Sequence, residues 1–354
     1  MKDIIVLIPA LNPPREILTN YIKDLRERGF ERIILVNDGS RNEYKEYFDS
    51  LKNQGIDIFD HYKNFGKGRA LKNSFNYILN NYSDFSYVIT ADSDGQHRAE
   101  DLFNIAKIAS RSKENILYLG SRDFNEENVP FKSSFGNKLT SFIYKLMFKD
   151  KIRDTQTGLR AICKSHMEDF LDLDGERFEY EINMLINCSK TGKKIKEVPI
   201  DTVYFDNNSE THFNPVKDSI KIYSVMFKTF FKFLLSSLSS WIVDIGFFRL
   251  FTKTLLKFIK SQSIIIWIST IGARIISGLF NYNVNKNIVF KDESDSKSVF
   301  YKYIILWLCQ MILSAFLVDR LFLFLGLDSS LIKIFVDCLI FLLSYRIQDR
   351  YIFN

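Results

Sequence analysis

The sequence predicts an α/β domain with a mostly parallel sheet, followed by an all-α membrane domain. Strand-like and helix-like stretches alternate from residue 1 to about 120, which implies parallel strands joined by right-handed crossovers. Polar clusters follow several of these strands, at the edge where such sheets bind ligands. After residue 233 the chain becomes apolar over stretches long enough to cross a bilayer. Its 354 residues leave room for both domains.

The elements of the first domain can be placed from apolar runs and their boundaries. Strands are predicted at 4–8, 32–36, 87–91 and 116–120, and helices at 16–28, 68–79 and 101–110. The first helix is followed by Gly29, a residue type that commonly terminates helices. Because the carboxyl ends of parallel strands meet at one edge of a sheet, we expect the polar residues that follow them to form one site.

The strand at 87–91 runs directly into two carboxylates, Asp92 and Asp94. In an extended chain residues i and i+2 point to the same side, so these carboxylates converge and repel each other unless a cation lies between them. Oxygen ligands with room for a diphosphate suit Mg²⁺ or Mn²⁺. The alternative is a polar turn after a strand, and the second carboxylate that follows the strand at 32–36 argues against it.

That second carboxylate is Asp38, which can accept hydrogen bonds from a nucleobase or ribose. Pro9, Ala10 and Asn12 end the first strand and would form the opposite wall of the same pocket. Taken alone, residues 37–40 also fit an ordinary turn. The Gly-rich segment 63–70 opens a helix, where Lys67 and the helix N-terminus could face phosphates. This segment lacks the Walker A spacing, and a helix entry that only packs is the alternative.

Two later stretches, 135–147 and 216–232, have amphipathic patterns with apolar residues on one helical face. Packing in a core and binding in a membrane interface both explain such a face. The position of the second stretch, just before the membrane segments, favours the interface. The apolar residues are Phe135, Leu139, Phe142, Ile143, Leu146 and Met147 in the first stretch, and Val216, Ile220, Tyr223, Phe227, Phe230 and Phe231 in the second.

Four membrane spans are predicted, at about 233–252, 263–282, 303–325 and 331–348. An even number of spans places both termini on one side of the membrane. Lysines in the 283–302 loop and arginines near the C-terminus place that side in the cytoplasm, although the lysines at 253–260 argue for the reverse. An apolar run at 4–8 is too short for a signal peptide.

The membrane domain also contains a possible internal repeat. Residues 281–290 align with residues 344–353, at an offset of 344 − 281 = 63. Two hairpins in the same orientation would form a parallel repeat about an axis along the membrane normal. Only the pairs Tyr282/Tyr345 and Phe290/Phe353 are identical, so a chance similarity is the alternative.

Composition limits the partners and the compartment. The net charge is +6, and the lysines are spread out beside apolar stretches, which favours an anionic membrane surface over nucleic acid. The four cysteines lack CxxC or zinc spacing, so disulfides are not expected and the soluble part is placed in the cytosol. The abundance of Lys, Asn, Ile and Phe suggests an AT-rich bacterial genome, and hence a bacterial cell membrane.

Motifs throughout the first 210 residues resemble the family 2 glycosyltransferases of the GT-A fold, which is Rossmann-like. More narrowly, they resemble the polyprenyl-phosphate glycosyltransferases, which include dolichyl-phosphate mannose synthase and the bactoprenol glucosyltransferases. Residues 230–354 resemble a GtrA-type four-helix membrane domain, with 281–290 as the best match. We therefore expect a GT-A domain at 1–210, an amphipathic interfacial helix at 211–232 and a GtrA-like domain at 233–354. The matching soluble motifs lie at 8–12, 37–40, 64–68, 92–97, 120–122, 154–160 and 197–200.

The resemblance implies roles for individual residues. The metal, Mg²⁺ or Mn²⁺, would be held on the donor diphosphate by Asp92, Asp94 and Gln96. The acceptor phosphate would be bound by Arg122 and Lys132, with Asp154 and Arg160 lining the sugar or acceptor side. The expected catalytic residues are thus Asp92, Asp94, Arg122, Lys132 and Asp154, and the expected donor-binding residues are Pro9, Ala10, Asn12, Asp38, Lys67, Asp92 and Ser93.

The chain departs from the family pattern at several positions. Asn37 stands where an Asp is common, and Pro13 stands where a Glu usually follows Asn12. Lys132 stands where an Arg is typical, which removes a bidentate grip on phosphate. Past residue 200 the usual Arg and Lys are absent, and His212 and Lys217 are the candidates to replace them at the acceptor phosphate.

The implied reaction is chemically coherent. A lipid phosphate is already ionised at neutral pH and needs no general base. The enzyme must bring two anions together, so it needs a metal on the donor and cations on the acceptor. Attack opposite the leaving nucleotide would invert the anomeric centre. The expected partners are a nucleotide-sugar donor, a polyprenyl phosphate (undecaprenyl or dolichyl), the membrane and a second copy of the chain as a homo-oligomer.

Two alternatives stay open at this stage. A processive polysaccharide synthase would carry a QxxRW motif in the soluble part, but the three Trp residues all lie in the membrane part. The membrane domain is expected to be an anchor, or else a flippase for the lipid-linked sugar. Ionisable residues in or near the spans are costly and often functional, which keeps the second possibility open. They are Asp244, Arg274, Asp319, Arg320 and Asp337.

Overall fold

A computed structural model describes residues 1–112, 114–124, 131–148, 151–201, 217–292, 294, 297–325 and 329–353. It divides into two compact units, Met1–Met226 and Phe227–Asn354. The first unit is α/β and the second is helical, as the sequence predicts.

The first unit alternates strands and helices. Its strands are β1 (Ile4–Ala10), β2 (Arg32–Asp38), β3 (Asp57–His61), β4 (Tyr87–Thr90), β5 (Ile116–Arg122), β6 (Arg160–Cys163) and β7 (Lys194–Ile200). Its helices are α1 (Arg15–Glu27), α2 (Lys45–Asn53), α3 (Lys67–Asn81), α4 (Ala99–Ser110), α5 (Phe131–Met147), α6 (Lys164–Leu171) and α7 (Glu179–Thr191). The seven elements predicted between residues 4 and 120 are all present, within a few residues at their ends.

The strands form one sheet in the order β3-β2-β1-β4-β6-β5-β7. All neighbours are parallel except β6, which runs antiparallel to both β4 and β5. The predicted mostly parallel sheet is confirmed. The antiparallel β6 was not predicted, and its consequence is functional: the start of β6 and the loop before it lie beside the carboxyl ends of β4 and β5.

Both faces of this sheet are covered. On β1, Ile4, Val6 and Ile8 enter one hydrophobic cluster, while Ile5 and Leu7 enter the cluster on the other face. All five are fully buried. Continuous apolar strands of this kind are typical of parallel sheets between helical layers. Because both faces of the strands are apolar and covered, polar functional residues are confined to the carboxyl ends of the strands.

The second unit consists of long helices. Helix α8 (Lys217–Leu255) runs without a break through both the predicted amphipathic segment and the first predicted span. Helices α9 (Gln262–Val284), α10 (Lys297–Leu325) and α11 (Ser329–Ile347) cover the other predicted spans. Within the described part of the chain, α8 is the one helix that contains a stretch long and apolar enough to cross a membrane, by length and composition.

The repeat predicted from the sequence coincides with a local symmetry in the second unit. Helices α9 and α11 each continue into a short π-helix, Asn285–Phe290 and Gln348–Ile352. Asn285 Nδ2 donates to Gln348 Oε1 at 2.9 Å, and these residues are 63 apart in sequence. The rings of Phe290 and Phe353, also 63 apart, stack at 5.1 Å. Contact between equivalent residues is what a two-fold relation produces at its axis.

Candidate active site

The two predicted metal carboxylates lie just past the carboxyl end of β4. Asp92 Oδ1 is 2.6 Å from Lys67 Nζ, and its Oδ2 is 3.4 Å from His97 Nε2. Asp94 Oδ1 accepts a hydrogen bond from the Gln96 backbone N–H at 3.0 Å. The Asp-x-Asp segment and the N-terminus of α3 therefore meet.

The charges at this site are unevenly compensated. Burial alone would raise the pKa of Asp92, but Lys67 and His97 hold it well below its usual range. Burial and the neighbouring Asp92 charge raise the pKa of Asp94, against the Gln96 N–H that lowers it. Ionisation of Asp94 is therefore unfavourable by itself, and a nearby cation would offset this penalty.

The donor set fits a hard divalent cation. Two carboxylates and the Gln96 amide offer oxygen ligands of the kind that Mg²⁺ and Mn²⁺ prefer. Within the described ranges no three His, Cys, Asp or Glu side chains are arranged to hold a metal by themselves. A cation here would therefore complete its coordination with water or with donor phosphates, as Mg²⁺ commonly does.

Lys67, the first residue of α3, has a second carboxylate partner that was not predicted. Its Nζ lies 3.0 Å from Oε1 of Glu181, a buried residue on α7. Burial alone would lower the pKa of Lys67, but Asp92 and Glu181 raise it above its usual range. Glu181 lies between the buried apolar residues Tyr180 and Ile182. A carboxylate flanked by apolar residues was the signal in the sequence that could have marked it.

The loop before β6 closes the site from the other side. Thr90 Oγ1 donates to the Gly158 carbonyl at 2.7 Å, which holds this loop against the end of β4. A Cβ on Gly158 would lie only 2.4 Å from Asp92 Oδ2, so glycine is required there for the carboxylate to keep its position. Arg160, at the start of β6, is fully buried and donates to the Glu181 carbonyl at 2.6 Å.

A second charged cluster lies at the end of β5. Arg122 grips Asp154 in a bidentate pair, with Nε–Oδ2 at 2.6 Å and NH2–Oδ1 at 3.0 Å. Asp154 is fully buried, and its backbone N–H donates to Glu197 Oε1 at 3.1 Å. The structure thus brings together two of the predicted catalytic residues. Glu197, which positions them from β7, was quoted only as part of a motif.

The structure describes the other predicted acceptor residues less completely. Lys132 belongs to α5, but its side chain lies outside the described part of the chain. His212 lies in the 202–216 segment, which is also outside the described residues. Lys217 is exposed at the start of α8. These three assignments stay predictions.

Asp38 is buried and makes three hydrogen bonds within the chain. Its Oδ1 lies 2.7 Å from His61 Nδ1 and accepts from the Phe65 N–H at 3.0 Å, while its Oδ2 accepts from the Gly66 N–H at 2.8 Å. Asn73 Nδ2 approaches His61 Nε2 at 3.0 Å, which fits a neutral ring that donates from Nδ1. Asp38 therefore orders the loop that leads into α3, and its contact with a nucleoside stays a prediction.

The predicted donor wall after β1 is tied to the loop after β2. Asn12 has a left-handed backbone, with φ of 47°. Its N–H donates to Ser40 Oγ at 2.9 Å, and its Oδ1 accepts from the Arg41 N–H at 2.9 Å. Pro9 and Ala10 end β1 beside this turn, and Ser93 stands between the two carboxylates of the other wall.

Comparison with known proteins identifies the class. Residues 5–171 match the family described as glycosyl transferase family 2. Residues 224–353 match the family described as GtrA/DPMS, transmembrane domain. The chain belongs to glycosyl transferase family 2 and carries a GtrA/DPMS transmembrane domain. It is a membrane-associated glycosyltransferase.

Curated relatives match more than half of the chain. An uncharacterized protein from Methanocaldococcus jannaschii is 32% identical over 57% of this chain and 82% of its own length. UDP-N-acetylglucosamine–dolichyl-phosphate N-acetylglucosaminyltransferase from Methanococcus voltae is 30% identical over 57% of this chain and 86% of its own length. Among solved structures, glucosyl-3-phosphoglycerate synthase from Mycobacterium tuberculosis covers 64% of this chain and 79% of its own, at 14% identity and a TM-score of 0.48.

Proposed function

We propose that this protein transfers a sugar from a nucleotide-diphosphate sugar to a polyprenyl phosphate, with inversion, at the cytoplasmic face of the cell membrane. One observation carries the proposal: two charged clusters lie at the same sheet edge, after β4 and after β5, with β6 between them. A reaction between two phosphate-bearing substrates needs two such clusters. The relative from Methanococcus voltae is named for a transfer to dolichyl phosphate, which supports this acceptor class.

The first cluster suits the donor. Asp92, Asp94 and Gln96 would hold Mg²⁺ or Mn²⁺, which when bound neutralises the diphosphate as negative charge builds up on it. Lys67 lies beside these residues at the N-terminus of a long helix, where the backbone N–H groups also favour phosphate. The nucleoside would lie along the walls formed by the loops after β1 and β2.

The second cluster suits the acceptor. The bidentate pair fixes the plane of the Arg122 guanidinium, and Arg122 keeps 17% of its side-chain surface exposed. It can therefore present a cation to an incoming phosphate without reorganising. A phosphate oxygen is already ionised, so no residue has to remove a proton from it. Attack from this side, opposite the leaving nucleotide, would invert the anomeric centre.

The surface of α5 supports a membrane-bound acceptor. One side of this helix is fixed to the loop before β6, because Asn137 Nδ2 and Ser141 Oγ both donate to the Arg153 carbonyl, at 2.6 and 2.8 Å. Its apolar residues are exposed, with Phe135 at 58% and Phe142 at 65%. A helix that is tethered beside Asp154 and exposes phenylalanines is suited to the membrane interface, where lipid phosphates lie.

The second unit would anchor the chain, with both termini in the cytoplasm and a second copy as partner. Two carboxylates in its helices have partners on the neighbouring helix. Ser277 Oγ donates to Asp244 Oδ1 at 3.0 Å, and Ser314 Oγ donates to Asp337 Oδ1 at 2.5 Å. Contacts of this kind hold membrane helices together, so they support an anchor rather than a transport path.

The test is direct. Purified full-length protein is incubated with undecaprenyl or dolichyl phosphate, Mg²⁺ or Mn²⁺, and a panel of UDP- and GDP-sugars, beside the variant Asp94→Ala. The product is sought as sugar mass in the lipid phase. We expect one donor to be consumed, only with metal and only by the unmutated protein. Donor binding without transfer to either lipid would refute the polyprenyl-phosphate acceptor.

A further inference from the structure

Lys67 lies where it competes with a metal ion. Its ammonium is 2.6 Å from Asp92 Oδ1, one of the oxygens expected to face the metal, and 3.0 Å from Glu181 Oε1. The side chain is only 16% exposed, and Glu181 is nearly fully buried, so water screens these charges poorly. An ammonium and a divalent cation at the same carboxylate repel each other strongly in such surroundings.

The surroundings of Asp92 leave it little room to serve both cations. Its other oxygen faces His97 Nε2 at 3.4 Å and lies against the backbone of Gly158. His97 and Gly158 restrict the carboxylate on the side of Oδ2, while a third of the Asp92 side chain stays exposed. Lys67, in contrast, has Glu181 as a second partner within reach. The movable cation of this site is therefore the lysine.

We propose that Lys67 is a built-in counter-ion of the metal carboxylates, and that Glu181 positions it. Without donor, Lys67 neutralises Asp92 and opposes the metal. When a nucleoside diphosphate binds, its phosphates supply the negative charge that lets Lys67 and the metal occupy the site together. Metal and nucleotide then bind with positive coupling, and each raises the affinity of the other by the same factor. This inference rests on the proposed donor site and extends it.

The proposal predicts opposite effects for two isosteric or near-isosteric changes. Lys67→Met removes the competing cation, so Mn²⁺ should bind at least about tenfold more tightly in the absence of nucleotide. Glu181→Gln removes the alternative partner and leaves Lys67 on Asp92, so Mn²⁺ should bind several-fold more weakly. General damage to the site would weaken Mn²⁺ binding in both variants. Opposite signs therefore exclude general damage, and the dependence on nucleotide separates the exchange from a simple change in local charge.

The experiment is a Mn²⁺ titration of the full-length protein in detergent, followed by the electron paramagnetic resonance signal of free Mn²⁺, with no nucleotide, with UDP and with GDP. Lys107→Met, which removes one exposed lysine of α4, is the matched control for the loss of one charge. Circular dichroism of each variant confirms its fold. In the unmutated protein we expect one nucleotide to raise Mn²⁺ affinity at least about tenfold. We expect Lys67→Met to lose most of that gain and Lys107→Met to keep it.

The proposal would be overturned if Lys67→Met bound Mn²⁺ without nucleotide as tightly as the parent or more weakly. It would also be overturned if Glu181→Gln bound Mn²⁺ more tightly than the parent. Transfer of sugar to polyprenyl phosphate is measured separately. If transfer fails while the opposite Mn²⁺ shifts are present, the proposed acceptor is refuted and the proposed exchange at Lys67 is supported. If transfer occurs and the shifts are absent, the exchange falls alone.

Discussion

Gly158→Ala tests whether the loop before β6 sets the position of the metal carboxylate. The added Cβ would lie 2.4 Å from Oδ2 and 2.8 Å from Cγ of Asp92. Carbon and oxygen atoms at van der Waals contact are more than 3 Å apart, so one of the two groups must move by about 1 Å. Thr90 holds the loop through the Gly158 carbonyl, so we expect the Asp92 carboxylate to be the group that moves.

The size of the effect follows from this displacement. A misplacement of about 1 Å in a reacting constellation can lower the rate by about 100-fold, which corresponds to about 2.7 kcal/mol at the transition state. Overpacking a filled site also costs about 1–3 kcal/mol of folding stability. We therefore expect Gly158→Ala to lose about two orders of magnitude in kcat/KM and to unfold at a moderately lower temperature.

The assay compares transfer rates and thermal unfolding for Gly158→Ala and Gly136→Ala. Gly136 is a glycine of α5, and a Cβ there meets no atom within 4 Å. Alanine in a helix is favoured over glycine by up to about 1 kcal/mol, so this control should be active and at least as stable as the parent. Gly158→Ala with full activity and unchanged stability would show that the loop yields freely and would refute the reasoning.

Three further predictions concern stability. Arg122→Met leaves the buried Asp154 carboxylate without its cation, so the free energy of unfolding should fall by roughly 3 kcal/mol. The double variant Arg122→Met/Asp154→Asn should recover part of this loss, as measured by chemical denaturation. In the second unit, Asn285→Leu and Gln348→Leu should show a coupling of about 1 kcal/mol in a double-mutant cycle, because the two amides bond to each other. Burial, and then Lys193, lowers the pKa of His166 from 6.5 to about 4, so the free energy of unfolding should decline as pH falls through that window, by at most about 3 kcal/mol.

The sign of the last effect follows from proton binding. Between pH 6.5 and about 4 the unfolded chain binds a proton at His166 that the folded chain does not, so acid favours the unfolded state. His166→Phe should flatten this part of the pH dependence, and an unchanged slope would contradict the assignment. A double variant at Arg122 and Asp154 that is less stable than Arg122→Met alone would count against the buried pair. If the changes in unfolding free energy of Asn285→Leu and Gln348→Leu were strictly additive, the contact between the two amides would be contradicted.

The predicted features that the structure confirms were encoded by near neighbours in the chain. Apolar runs bounded by polar residues predict the strands, such as the buried run that ends at Thr90. The convergence of Asp92 and Asp94 by the i, i+2 rule stays a prediction, because the chain turns at residues 93 and 94 and is not extended there. Spans of about 20 apolar residues predict the helices of the second unit. The offset of 63 residues makes Phe290 and Phe353 equivalent positions of the predicted repeat, and the structure adds that their rings stack.

Tertiary structure decided which charges meet. The antiparallel β6 carries no local signal of its direction, yet that direction brings Gly158 against Asp92. Glu181 reaches Lys67 only because α7 packs on the start of α3. Asp38, expected to contact a nucleoside, has three partners within the chain that its motif did not predict: His61 and two backbone N–H groups. Burial and charge pairing depend on residues far apart in sequence, so the short spacings that identify a motif do not determine its partners.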